Sequence, residues 1–244
     1  MSCFLSLIID NQTIMAGKCE RHLPYFAITE ALEDSSFCFL CKLELDSLNK
    51  YFDTLFYEQI NDVGVRKQLA HSKGFCSRHS RFILRYGESL GTAILYNQQC
   101  ELFNEFLKSC SLFAGRLPKM LTLSDWMEHK HCPACAHQVK DRKLYSSVFL
   151  DALRNSDSEM IGAFEKSAAI CVPHFLYLMK QLSGERKMFG YLIEMEQRKF
   201  NRLRAEVNEF IRKSDYKNFS QQIDGQQDIC RNIIRVFAGY EGLF

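Results

Sequence analysis

Four short cysteine–histidine motifs constrain this chain more than any other feature, because they recur in a fixed order. Cys38-Phe39-Leu40-Cys41 is followed after 34 residues by Cys76-Ser77-Arg78-His79. Cys132-Pro133-Ala134-Cys135 is followed after 35 residues by Cys171-Val172-Pro173-His174. The copies are offset by 94 residues at the CxxC and 95 at the CxxH, and the same 94 maps Leu23-Pro24 onto Leu117-Pro118 and Tyr51 onto Tyr145. One duplicated unit accounts for all of these matches, whereas chance must produce each separately. The units are placed at 21–115 and 116–214, between an N-terminal extension at 1–20 and a C-terminal tail and helix at 215–244, all within one compact domain.

The motifs point to metal. A CxxC puts two thiols on one small turn, and a CxxH at the start of a helix puts positions i and i+3 on one face, so that sulfur and imidazole converge. Three thiolates and an imidazole make a closed tetrahedral set of the structural zinc type. Thiolates at helix N-termini are also favoured electrostatically, and Pro173 suits a first helical turn. The spacer has room for a helical hairpin clipped at its base, and a longer loop adds little closure entropy. Each site is therefore assigned within its own repeat: Cys38, Cys41, Cys76 and His79 for one zinc, Cys132, Cys135, Cys171 and His174 for a second. The alternative is a crossed arrangement, with the CxxC of one unit meeting the CxxH of the other. An iron–sulfur cluster is the alternative occupant. Of the remaining candidates, Cys19, His22, His129, His131 and His137 read as surface or cap residues, Cys100, Cys110 and Cys230 as core, and Cys3 has no assigned role.

Composition agrees with a helical, globular chain. Four prolines and twelve glycines in 244 residues are too few for the turns of a β-sandwich or barrel. Apolar periodicity predicts helices from Pro24 to about Asp34 and over 42–60, where Leu45, Leu48, Phe52, Leu55 and Phe56 share a face. A shorter helix is capped by Asn61-Asp62 and stopped at Lys73-Gly74; another runs from His79 to Tyr86-Gly87. A long helix over 89–113 carries Leu95, Leu102, Phe106, Cys110 and Phe113 on one side. The second unit repeats the order and ends in a helix over 185–213 with a stripe of Phe189, Ile193, Phe200, Leu203, Val207 and Phe210, interrupted by Glu196. A last amphipathic segment carries Ile229, Ile233, Ile234 and Phe237 before Gly239. The expected fold is all-α.

No run reaches the 18 apolar residues of a membrane span, and the apolar stretch Cys3–Ile9 is short, lacks a basic leader and is closed by Asp10. Met15 offers an alternative start. Eleven cysteines without an export signal indicate a reducing, cytoplasmic setting, where paired thiols hold metal more often than they form disulfides. The net charge of +2 gives no ground for a nucleic-acid partner. The helix over 185–213 has eight Lys or Arg against five acids, a mild excess typical of a solvated face.

In these motifs and their surroundings the chain resembles the bacterial domain-of-unknown-function family DUF6062, from about His22 to Gly239. The resemblance is carried by CFLC at 38–41, Asn61-Asp62-Val63-Gly64-Val65-Arg66, Gly74-Phe75-Cys76-Ser77-Arg78-His79 and Leu90-Gly91-Thr92-Ala93-Ile94-Leu95-Tyr96. CPAC at 132–135, CVPH at 171–174 and Phe210-Ile211-Arg212-Lys213-Ser214-Asp215-Tyr216-Lys217 complete it. It implies that the paired motifs are the metal ligands, and it implies no activity.

No phosphate loop, nucleophile elbow, HExxH or paired-carboxylate signature occurs. A four-ligand site leaves no open position for a reacting water. The reading is a non-catalytic interaction or regulatory module with a protein partner, the small-molecule ligand left open. A redox or metal sensor built on the same thiolates is the alternative. For an enzyme, Lys213, Asp215 and Tyr216 after the long helix form the polar cluster to examine, against a plainer role in ending that helix.

Overall fold

The structure is a computed structural model that describes residues 22–34, 36–112, 126, 132–214 and 226–244. The described residues are helices and connecting turns without a strand, as the low proline and glycine count demands. In chain order they are α1 (Leu23–Asp34), α2 (Phe39–Thr54), a π-helical turn (Leu55–Gln59), α3 (Val63–Ser72), α4 (Ser77–Tyr86) and α5 (Ser89–Leu112). There follow α6 (Pro133–Arg154), α7 (Ser158–Lys166), α8 (Val172–Gln181), α9 (Arg186–Ser214) and α10 (Gln226–Ala238). None of these helices is long and apolar enough to cross a membrane.

The duplication is visible in the caps. Asp62 accepts a hydrogen bond from the Val65 amide at the start of α3, and Asp157, 95 residues on, accepts one from Met160 at the start of α7. Each carboxylate satisfies one amide that a helix start leaves unpaired. α3 ends one residue earlier than Gly74 suggests: Lys73 takes the left-handed conformation at φ 58°, and the Gly74 amide bonds back to Leu69.

α2 and α6 form the centre and run antiparallel. Phe39 at the start of α2 packs on Phe149 near the end of α6, with ring centroids 4.8 Å apart, while Tyr51 near the end of α2 lies on His137 near the start of α6 at 5.0 Å. Midway, Ser47 hydrogen-bonds Asp141, its own equivalent 94 residues on. Contact between equivalent residues is the mark of a two-fold axis, here a pseudo-axis relating the two halves. Leu40, Leu48, Phe52, Phe149 and Leu150 are fully buried at this crossing, with Phe164 packed edge-on against Phe149. α1 and α7 cover the pair on one side.

Several faces differ from the periodicity. On α9 the deeply buried positions are Leu192, Met195, Glu196 and Lys199, while Phe189 is exposed. On α10 Val236 is buried, and Ile234 and Phe237 face solvent. Cys100 and Cys230 are exposed and Cys110 is half-buried, so the first two are not core residues. Each sits one position off the side its helix buries, a rotation of about 100° that a short amphipathic pattern does not fix.

Candidate metal centres

All four motifs begin helices. Cys38, Cys76, Cys132 and Cys171 are the N-cap residues of α2, α4, α6 and α8, and Cys41, His79, Cys135 and His174 follow in the first turns. Proline stands in the first two positions of α6 and α8, where its missing N–H costs nothing. None of the four N-cap cysteines makes a side-chain cap bond, so each sulfur is free to turn toward its partners.

The partners come from the opposite repeat. Cys38 and Cys41 meet Cys171 and His174; Cys132 and Cys135 meet Cys76 and His79. The within-repeat assignment is thus corrected to the crossed one. Helix length supplies the reason. α2 and its π-helical turn comprise 16 and 5 residues, about 30 Å of travel, whereas α3 returns only 10 residues, about 15 Å. Cys76 is therefore stranded at the far end of α2, where antiparallel α6 begins. α6 and α7, with 22 and 9 residues, leave Cys171 in the equivalent position.

In each cluster the four donor atoms lie within 4.8 Å of one another. In the first, Cys41 Sγ is 3.5 Å from Cys171 Sγ and 3.4 Å from His174 Nδ1, which is 3.5 Å from Cys38 Sγ. In the second, Cys76 Sγ is 3.6 Å from Cys135 Sγ, and His79 Nδ1 is 3.2 to 3.6 Å from all three sulfurs. A tetrahedron with zinc-type bond lengths has edges of about 3.5–3.8 Å. The clusters can each hold a single metal ion.

The protonation chemistry agrees. Hydrogen bonds with the neighbouring sulfurs, then burial, push the Cys41 thiol far up, and the same causes raise Cys132. Burial would also raise Cys38, but bonds from Cys171 and Cys41 and the His174 charge hold it well below the usual thiol range. Three thiolates cannot share so small a space on their own; a bound dication would remove the conflict and leave the imidazoles neutral.

The surroundings of the two clusters differ. His174 Nε2 donates to buried Glu44 at 2.7 Å, and Arg142 grips the same carboxylate through Nε at 2.6 Å and Nη2 at 2.9 Å. Burial would raise the Glu44 carboxyl, yet Arg142 and His174 hold it below its ordinary value. The Phe244 ring lies edge-on to His174 at 4.9 Å. Behind Cys171, the Ile170 amide donates to both oxygens of Glu196, and Lys199 donates to Ser167 Oγ and the Ala168 carbonyl. At the second cluster His79 Nε2 is buried with no partner among the described residues, and Arg78 Nη2 donates to Cys135 Sγ at 3.5 Å.

Glu44 was not singled out by its sequence, although it stands in the i+4 series Leu40, Glu44, Leu48, Phe52, all buried. Glu196 announced itself by breaking the stripe of its helix. His137 joins the Ser47–Asp141 contact and Lys213 pairs with Glu209, while Cys3, Cys19, His129, His131, Asp215 and Tyr216 lie outside the described residues. Much of the basic charge of α9 is internally paired, as in Arg198–Glu194 and Arg212–Glu209.

The chain belongs to the family of unknown function DUF6062, whose model matches residues 20–241. It is 23% identical over 184 residues to an uncharacterized 23.9 kDa protein in the xynA 3'region of Caldicellulosiruptor sp. (strain Rt8B.4), a match covering 74% of this chain and 84% of that protein. No solved structure matches.

Proposed function

We propose that this chain is a zinc-stapled helical scaffold that acts by binding another protein, in a regulatory or structural capacity, and not by catalysis. The observation carrying this reading is that each cluster draws four donors from two helix N-termini of opposite repeats. An ion there ties the two halves together at both ends of the α2–α6 crossing. Four protein ligands fill a tetrahedral zinc site, so no position remains for an activated water. The donor spacing suits one ion; a cluster of several iron and sulfide ions needs ligands set further apart. Thiolate-rich donor sets favour zinc over the oxygen-seeking cations. Ile211 on α9 and Ile234 and Phe237 on α10 present apolar side chains to solvent, as a surface for a protein partner would.

Elemental analysis and an absorption spectrum of protein purified without oxygen or chelator test the reading. Two equivalents of zinc, no visible absorbance, and loss of the compact fold on chelation are the expected results. Iron with sulfide and a brown colour would replace the scaffold by redox chemistry.

A further inference from the structure

The pseudo-two-fold relation permits the two clusters to be compared residue by residue. Glu44, which holds His174, lies three residues beyond Cys41; three residues beyond Cys135 stands Gln138. Gln138 does not turn to His79. Its amide donates to Glu44 and to the Leu243 carbonyl, which also accepts from Arg78, and His79 Nε2 has no partner among the described residues. The second difference lies in the long helices. α5 and α9 follow the left-handed glycines Gly87 and Gly184, 97 residues apart, and the same offset carries Gln99 onto Glu196. Glu196 accepts the amide next to Cys171; Gln99 lies beside Gly74, is buried, and neither its Nε2 nor its Oε1 finds a partner among the described residues. Both carboxylates that brace the first cluster are thus amides at the second.

Exposure differs in the same sense. Cys38, Cys41, Cys171 and His174 are 2% exposed or less, whereas Cys76 and Cys135 are only half-buried. A carboxylate on the far nitrogen of a ligating imidazole fixes its tautomer and raises its basicity, and losing such a partner weakens metal affinity by about 10–100-fold. A guanidinium donating to sulfur, as Arg78 does to Cys135, draws charge away from the metal bond.

We infer that the clusters have different tasks: the Cys38–Cys41–Cys171–His174 site is permanent, and the Cys76–His79–Cys132–Cys135 site is exchangeable, opening through the Cys76–Cys135 face. Glu44 and Glu196 are positioning residues for the permanent site. The inference rests on the reading that both clusters hold zinc. Exchange at one end leaves the halves stapled at the other, so metal state there can alter the α4 region and the 240–244 segment without unfolding the chain.

The test is zinc release from the full-length, zinc-loaded protein into excess chelator, followed by a colorimetric zinc indicator. Thiol alkylation at intermediate times is mapped by mass spectrometry. The expected result is two phases of one equivalent each, at least tenfold apart in rate, with Cys76, Cys132 and Cys135 labelled after the first and Cys38, Cys41 and Cys171 protected. The Glu44→Gln variant should accelerate the slow phase by about 10–100-fold and leave the fast phase unchanged. Two equivalents leaving in one phase, or early labelling of Cys38, Cys41 and Cys171, would overturn the inference while leaving the scaffold reading intact. Fewer than two equivalents at the outset would overturn both.

Discussion

Glu44 and Gln138 stand at equivalent positions of the two halves, 94 residues apart, and hydrogen-bond to each other at 2.6 Å in the buried centre of the molecule. Strict two-fold symmetry would place two carboxylates or two amides there. Two carboxylates would repel, and two amides would leave the Arg142 guanidinium without a counter-charge. The Glu–Gln pair gives one negative charge, matched by Arg142.

That charge balance makes Arg142 a sensitive position. Among the described residues, the Arg142→Met substitution leaves buried Glu44 with only its His174 and Gln138 donors. A loss of about 3–5 kcal/mol in unfolding free energy is expected, the usual cost of stranding one partner of a buried ion pair. The double variant Glu44→Gln with Arg142→Met should recover part of it, because the uncompensated charge is gone. Urea denaturation in zinc-saturated buffer measures both; equal losses in the single and double variants would show that charge is not the cause.

The crossed pairing is tested by counting zinc in double variants. Cys41→Ser with Cys171→Ser disables one cluster and should leave one equivalent bound. Cys41→Ser with Cys76→Ser disables both and should leave none. Pairing within repeats requires the opposite outcome in each case, so one elemental analysis on two proteins decides it.

The eight Cys and His positions, the duplication and nearly every helix were legible because each rests on local signals: fixed spacing, an Asp cap, a glycine stop, a periodic apolar face. The pairing was not, since it depends on where a chain of unequal helices arrives. A long α2 followed by a short α3 cannot return to its origin, and that length difference was present in the sequence as the 42–60 and 61–73 segments. Glu44 was hidden for another reason. A glutamate inside a helix is by default solvated, and only the partners arriving from α6 and α8 make it a buried acceptor.

Two helical glycines predict effects of opposite sign. A Cβ at Gly91 in α5 would fall 2.6 Å from Ile60 Cδ1 and 2.7 Å from Phe56 Cδ1, and Phe56 is held in place by ring stacking on Tyr86. Gly91→Ala should cost about 1–3 kcal/mol through overpacking. A Cβ at Gly190 in α9 meets nothing within 4 Å, so Gly190→Ala should stabilise by about 0.5–1 kcal/mol through helix propensity. Thermal unfolding of the zinc-loaded proteins checks both, and a shift of the same sign in the two would contradict the close packing of α5 on the π-helical turn.

Glu196 gives a pH dependence with a definite direction. Burial lifts its carboxyl from an ordinary 4.5 to about 7, the attraction of Lys199 and the Ile170 amide opposing it. Between those values the folded protein keeps a proton that the unfolded chain has lost, so this group's contribution to stability falls as pH rises from 4.5 to 7 and is level above. Glu196→Gln removes the titration while keeping an oxygen for the Ile170 amide. The difference in unfolding free energy, wild type minus variant, should therefore decline by about 2–3 kcal/mol between pH 5 and 7. Burial also lowers Lys199 to about 8, which acts only on the alkaline side of that window. Urea unfolding of both proteins at pH 5, 6 and 7 in excess zinc provides the comparison. A difference that stays level would mean that Glu196 is ionised throughout and that the Lys199 charge, 3.9 Å away, outweighs the burial.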